Sequence, residues 1–283
     1  MTSVKELKSV DLASFTIVAT AIAVLFSIIS SIVIVLAIGI ANPSAIGVSL
    51  YLISTIVVGT FMYTIYTAFC KGFLFNGLSK KLKNIKLTFK DEKELSQISP
   101  TETAMFTAMI LTIQVILIYL ASVLILPLLI STIMQTLMFS GQEAIAYGLY
   151  QIIMLLSQPT TIAIIIFGTF IISFVFVLLG SYIYNIFADT GRGAVFNLSK
   201  KDNMTAIDSV DVLKLAIAFA VVGGVLNLIL AIISLISGGN ITTALVNVVG
   251  GFVSAFVNGA LIAIFYNFLA PKLGKIKLEL IDQ

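Results

Sequence analysis

The residues of this chain that could do chemistry are few and scattered. Cys70 is the only thiol, and the chain has no histidine. The commonest metal ligand and the side chain that titrates near neutral pH are therefore both missing. A lone cysteine allows no intrachain disulfide, and no base stands near it in sequence to make it a nucleophile. No pair of acids sits inside an apolar stretch. What remains is a set of amides in apolar surroundings: Gln114, Gln135, Asn227, Asn247 and Asn258. Amides at such positions form hydrogen bonds between helices, since an unsatisfied amide in hydrocarbon is costly. No catalytic, metal or cofactor site is expected, and the chain is read as not an enzyme.

The elements that hold these residues follow from charge. Hydrophobic residues make up 59% of the chain, charged residues only 10%, and the mean hydropathy is +1.14. No Lys, Arg, Asp or Glu occurs from Leu12 to Cys70, Thr103 to Gln142, Ala144 to Ala188, or Leu215 to Pro271. A membrane span needs about 20 apolar residues, and a charge at the bilayer centre costs several kcal/mol. Turn signals at Asn42-Pro43-Ser44 and Ser237-Gly238-Gly239-Asn240 divide the first and last tracts. Six spans are predicted, at about 12–41, 45–78, 100–138, 159–188, 211–236 and 241–270. The third opens on Ser99-Pro100-Thr101-Glu102, a cap residue followed by proline and an acid in the first turn. Leu12 to Ile40 is too long for the apolar core of a secretory signal and is read as a retained span.

All 16 Lys and Arg residues fall on one side of this arrangement, in the N-terminal lead, residues 71–93, residues 192–214 and the C-terminal tail. Glu143 is the only charge on the other side. Basic segments stay cytoplasmic, so the chain reads as a multi-pass protein of the cell membrane with both termini in the cytoplasm. Lys80, Lys81, Arg192, Lys200, Lys201 and Lys272 are expected to face anionic lipid headgroups there. No recognition fold accompanies these charges, so nucleic acid is not an expected partner.

The chain repeats. Phe75-Asn76 through Phe89 and Tyr266-Asn267 through Leu280 align without a gap and share Asn, Leu, Lys, Leu, Ile, Lys and Leu. Ser9-Val10-Asp11 and Ser209-Val210-Asp211 precede the first and fifth spans. In the middle, Tyr184-Asn185 can be laid on Tyr266-Asn267, which puts Ala194 to Ser199 on the terminal segment. A rival alignment, Phe196-Asn197 on Phe75-Asn76, needs a gap. The units are 1–93, 94–204 and 205–283, each a hairpin of two spans. Two spans per unit make the copies parallel rather than inverted. Tyr184, Asn185, Tyr266 and Asn267 are expected to cap their helices and anchor them at the interface.

After each hairpin the pattern switches to period two. Ile85, Leu87 and Phe89 alternate with Lys86, Thr88 and Lys90, and Ile276, Leu278 and Leu280 do the same. This predicts strands, with hairpin partners at 95–99 and 204–210. The last strand has no successor, so its natural partner is the lead Val4–Val10, which would close a pseudo-threefold ring. The expected fold is an all-α polytopic membrane protein, three parallel hairpins with short cytoplasmic β-strands. Residues 142–157 carry a helical apolar face and read as an outer interfacial helix, with a re-entrant segment as the alternative. Ala216, Ala220 and Gly224 on the fifth span, and Gly251, Ala255, Gly259 and Ala263 on the sixth, form small-residue ridges for close helix packing. Packing within the hairpin is the main reading and a homo-oligomer seam the second.

Residues 206–280 resemble a group of uncharacterised prokaryotic membrane proteins built of helical hairpins. The matching features are Ile207-Asp208, Gly250-Gly251, Tyr266-Asn267, and Gly274 followed by Ile276 and Glu279. Lys275 departs from the pattern, where a second glycine is usual. The resemblance implies membrane location and no established activity. The expected function is a structural or accessory role, or a subunit of a membrane complex. A transporter or channel for an apolar or neutral solute is the alternative.

Overall fold

The computed structural model describes residues 2–201 and 203–283. The chain runs β1 (Thr2–Val10), α1 (Leu12–Ala41), α2 (Ile46–Leu78), β2 (Ile85–Lys90), β3 (Glu94–Ile98), α3 (Pro100–Phe139), α4 (Glu143–Leu156) and α5 (Pro159–Phe187). It continues through β4 (Ala194–Lys201), β5 (Met204–Val210), α6 (Val212–Ile236), α7 (Ile241–Leu273) and β6 (Lys277–Asp282). All these helices except α4 are long and apolar enough to cross a membrane. The molecule is a helical, multi-pass membrane protein by this measure. A helix satisfies its own backbone polar groups, which hydrocarbon cannot do for it.

Two compact units divide the chain. The first comprises residues 1–103 and 178–283, the second residues 104–177. The second holds most of α3, all of α4 and the first two-thirds of α5. Its α4 starts on Glu143, and Ala146 is fully buried within it.

The first unit carries every strand. They pair in chain order, and β6 returns to β1, so the sheet is a closed barrel. The expectation of short strands appended to an all-α protein is corrected here. Strands of five to nine residues form one continuous closed sheet. The physical reason is the edge. A lone strand leaves a row of N–H and C=O groups unpaired, and only closure removes both edges of a sheet. The closing pair is the one the alternating tail pointed to: Lys5 to Leu7 of β1 face Asp282 to Leu280 of β6, antiparallel, and a bulge then brings Ser9 opposite Glu279.

Where the barrel meets the helices, Val18, Ala194, Val210, Leu215, Ala263, Tyr266 and Ala270 form one buried cluster. It joins α1, α6 and α7 to the ends of β4 and β5. Phe26 of α1 meets Phe265 of α7 edge-on, at 5.2 Å between ring centres. In the α6–α7 hairpin, small residues sit where the backbones come closest. A Cβ on Gly259 would stand 2.9 Å from Phe219 Cβ and 3.0 Å from Ala216 Cα. One on Gly223 would stand 2.6 Å from Ala255 Cβ, and one on Gly224 would stand 2.9 Å from the Phe252 ring.

Candidate functional site

The most elaborate polar construction among the described residues lies at three junctions, where β1, β3 and β5 end and α2, α5 and α7 return. Each junction has an asparagine near the end of the returning helix. Asn76 Oδ1 accepts from Val10 N at 2.8 Å, and its Nδ2 donates to Val10 O at 2.8 Å. Asn185 holds both backbone groups of Ile98 in the same way, at 2.9 and 2.8 Å. Asn267 holds Val210, at 2.8 Å in both directions. Val10, Ile98 and Val210 are the last residues of β1, β3 and β5. Their outward N–H and C=O groups have passed the end of the ladder, and one carboxamide, with a donor and an acceptor side by side, replaces the missing strand partner.

The residue before each asparagine differs in chemistry. Tyr184 donates to Leu95 O at 2.6 Å and accepts from Ala194 N at 3.1 Å. Tyr266 donates to Ile207 O at 2.5 Å and accepts from Ile276 N at 3.3 Å. Each hydroxyl bridges a strand carbonyl and an amide at the start of the next strand, Ala194 opening β4 and Ile276 just before β6. At the first junction Phe75 stands in this place, buried and without a hydroxyl. The pairing follows the chemistry. β1 and β2 pair from Thr2–Lys90 through Leu7–Ile85. Only Glu94–Val195 and Leu95–Ala194 pair between β3 and β4, and only Thr205–Leu278 and Ala206–Lys277 between β5 and β6. Gly193 allows the close approach of β4 to β3, since a Cβ there would collide with the Leu95 carbonyl.

Charged groups brace the same junctions. Lys275 Nζ donates to Asp208 Oδ1 at 2.7 Å, and Ser199 Oγ donates to the same oxygen at 2.8 Å. The Lys275 hydrogen bond, then that of Ser199, holds the Asp208 carboxyl below its ordinary pKa. Glu94 Oε1 accepts from Gly193 N, and its Oε2 lies 3.9 Å from Lys214 Nζ. Ser9 Oγ donates to Glu279 Oε2 at 2.7 Å across the closing seam. The hydrogen bond from Asn84 is the main cause that lowers the pKa of Glu6 on β1. These contacts are structural in chemistry: the asparagine and tyrosine side chains at the junctions bond to strand backbone, and the carboxylates of Asp208, Glu94 and Glu279 each accept a hydrogen bond from a neighbouring strand or turn.

The residues singled out from the sequence fall as follows. Tyr184, Asn185, Tyr266 and Asn267 lie together with their strands, and their polar atoms engage strand backbone. Asn76 and Phe75 belong with them, and the only sequence signal for both is their pair of columns in the outer alignment, against Asn267 and Tyr266. Ala216, Ala220, Gly224, Gly259 and Ala263 are buried, and Gly251 and Ala255 half-buried, along the α6–α7 contact. Lys80, Lys81, Arg192, Lys200 and Lys272 are exposed at the barrel end. Lys272 also lies over the Phe268 ring, its Nζ 3.5 Å from the centre. The side chain of Lys201 lies outside the described residues. Among the described residues no cluster of three or more His, Cys, Asp or Glu is placed to hold a metal. No family model, curated protein or solved structure matches the chain.

A second polar feature lies between α6 and α7, toward their common turn. An open groove of about 610 Å³ is lined by Asn227, Ser234, Asn247, Gly250 and Ser254, among others. Asn227 Nδ2 donates to Gly223 O at 2.8 Å and Ser254 Oγ to Gly251 O at 3.2 Å. The groove carries no charge, and its polar groups stand among Leu230, Ala231 and Val246.

Proposed function

We propose that this chain is a non-enzymatic membrane protein with a structural or accessory role, a subunit that contributes a rigid barrel to a larger membrane complex. The observation that carries the reading is the use of the polar side chains at the junctions. Asn76, Asn185, Asn267, Tyr184 and Tyr266 all close backbone hydrogen bonds, which builds a frame. The architecture is best described as three parallel-repeated hairpins about a pseudo-threefold axis, each entered by one strand and left by the next. The recurrence of the asparagine clamp at equivalent places supports this. So does the resemblance of residues 206–280 to small prokaryotic hairpin proteins. Both termini and the barrel face the cytoplasm of the cell membrane, where the basic residues meet anionic headgroups.

Purification in mild detergent, with identification of co-eluting proteins, tests the subunit reading. A stoichiometric companion, either another protein or a second copy, is the expected result. A lone monomer that remains alone in nanodiscs would remove it. A carrier of a neutral solute is the second reading, and the groove between α6 and α7 is the observation that favours it. Uptake of neutral solutes into proteoliposomes that is lost on Asn227→Leu would turn the account toward transport.

A further inference from the structure

α7 has a face that its own hairpin leaves open, bordering the groove between α6 and α7. Asn247, Gly250, Ser254 and Asn258 recur at spacings of three and four, so they share one side of the helix. This side lies beside the ridge of Gly251, Ala255 and Gly259 that packs on α6. All four are exposed. A Cβ built on Gly250 would meet nothing within 4 Å. The amides of Asn247 and Asn258 have no partner among the described residues. Both lie in the charge-free tract from Leu215 to Pro271, at membrane depth, where an unsatisfied amide costs several kcal/mol.

The distribution of these groups selects the occupant. Asn247 and Asn258 are separated by about 16 Å along the helix. A lipid headgroup or a small solute engages one depth, whereas polar groups at two depths match a second helix. A copy of the same chain inserted in the same direction brings its own Asn247 and Asn258 to the same two depths. A carboxamide carries both a donor and an acceptor and so satisfies its own kind across a two-fold axis. Gly250 and Ser254, between the amides, let two backbones approach. The groove of about 610 Å³ beside them gives the partner's side chains room. We propose that this face of α7 is a two-fold seam between two copies of the chain. The proposal deepens the subunit reading above and rests on it.

The test uses the full chain in native membranes, in a Cys70→Ala background. Asn247→Cys and Ser254→Cys are each oxidised, with Val249→Cys, 63% exposed in the parent chain and on the other side of α7, as the control. Disulfide-linked dimers at 247 and 254 but not at 249 are the expected result. Equal linking at all three positions, or none at 247 and 254, overturns the seam. A 247 adduct to a protein of different mass overturns self-association while leaving the subunit reading intact. A monomer with no companion in nanodiscs removes both. As a second measurement, Asn247→Leu with Asn258→Leu should lower the dimer association constant in nanodiscs about tenfold or more, from two lost interhelical hydrogen bonds. An unchanged constant would contradict the proposal.

Discussion

At the residue scale, the asparagines at the strand ends are the parts whose loss the fold should feel most per atom. Asn267 holds both backbone groups of Val210. Replacing it by alanine leaves a donor and an acceptor without partners where water reaches poorly. The expected cost is about 2–4 kcal/mol, from two groups at about 1–2 kcal/mol each. Asn267→Asp should fare no better, because a carboxylate accepts from the N–H but repels the carbonyl. Thermal unfolding in detergent measures both. Asp208 offers a pH test. Its carboxyl titrates below its ordinary value because Lys275 and Ser199 hydrogen-bond to it. A depressed native pKa adds stability at neutral pH, which fades as the pH falls through the ordinary carboxylate range and is gone below the native value. The melting temperatures of the parent and Asp208→Asn should therefore differ at pH 7 and converge toward pH 3. The groups are partly exposed, so the difference should be small and reduced by salt.

At the element scale, the α6–α7 hairpin depends on the absence of side-chain atoms at Gly259. Its Cβ position is hemmed by Phe219 and by the backbone of Ala216, and backbone cannot step aside. Gly259→Val should destabilise the protein by about 1–3 kcal/mol through overpacking. Gly250→Ala, with open space around it, should leave the monomer at least as stable, since a helix-interior glycine costs about 0.5–1 kcal/mol relative to alanine. The same elements show what a sequence can and cannot disclose. The spans lie within a few residues of the uncharged tracts, because charge is excluded from hydrocarbon wherever the chain folds. The strands were visible because Ile85, Leu87 and Phe89 alternate with polar residues. Alternation marks a face but names no partner. The hydroxyl bonds of Tyr184 to Leu95 and of Tyr266 to Ile207, and the clamp of Asn185 on Ile98, join residues 59 to 89 positions apart. Nothing local in the chain records such pairings. Phe75 illustrates the loss: aligned with two tyrosines it reads as a conservative exchange, yet it accompanies the longest pairing among the three seams.

At the scale of the whole molecule, the defining feature is the return of the last strand to the first. Residues that begin and end the chain complete each other's hydrogen bonding, so neither end can be removed without opening the sheet. The helix pairs α1–α2 and α6–α7 leave and return to this ring, and the basic residues of the first and last repeats lie near it. The β1–β6 seam can be measured directly. Ser9 and Glu279 are cross-strand partners, and residues so placed lie within reach of a disulfide. In a Cys70→Ala background, Ser9→Cys with Glu279→Cys is oxidised in isolated membranes, and the chain is then cut at an engineered protease site in the α4 region. With β1 and β6 paired, the two fragments stay joined until a reductant is added, while Ser9→Cys with Ile281→Cys, out of register, links poorly. Fragments that separate without reduction in the in-register pair would contradict the closed barrel.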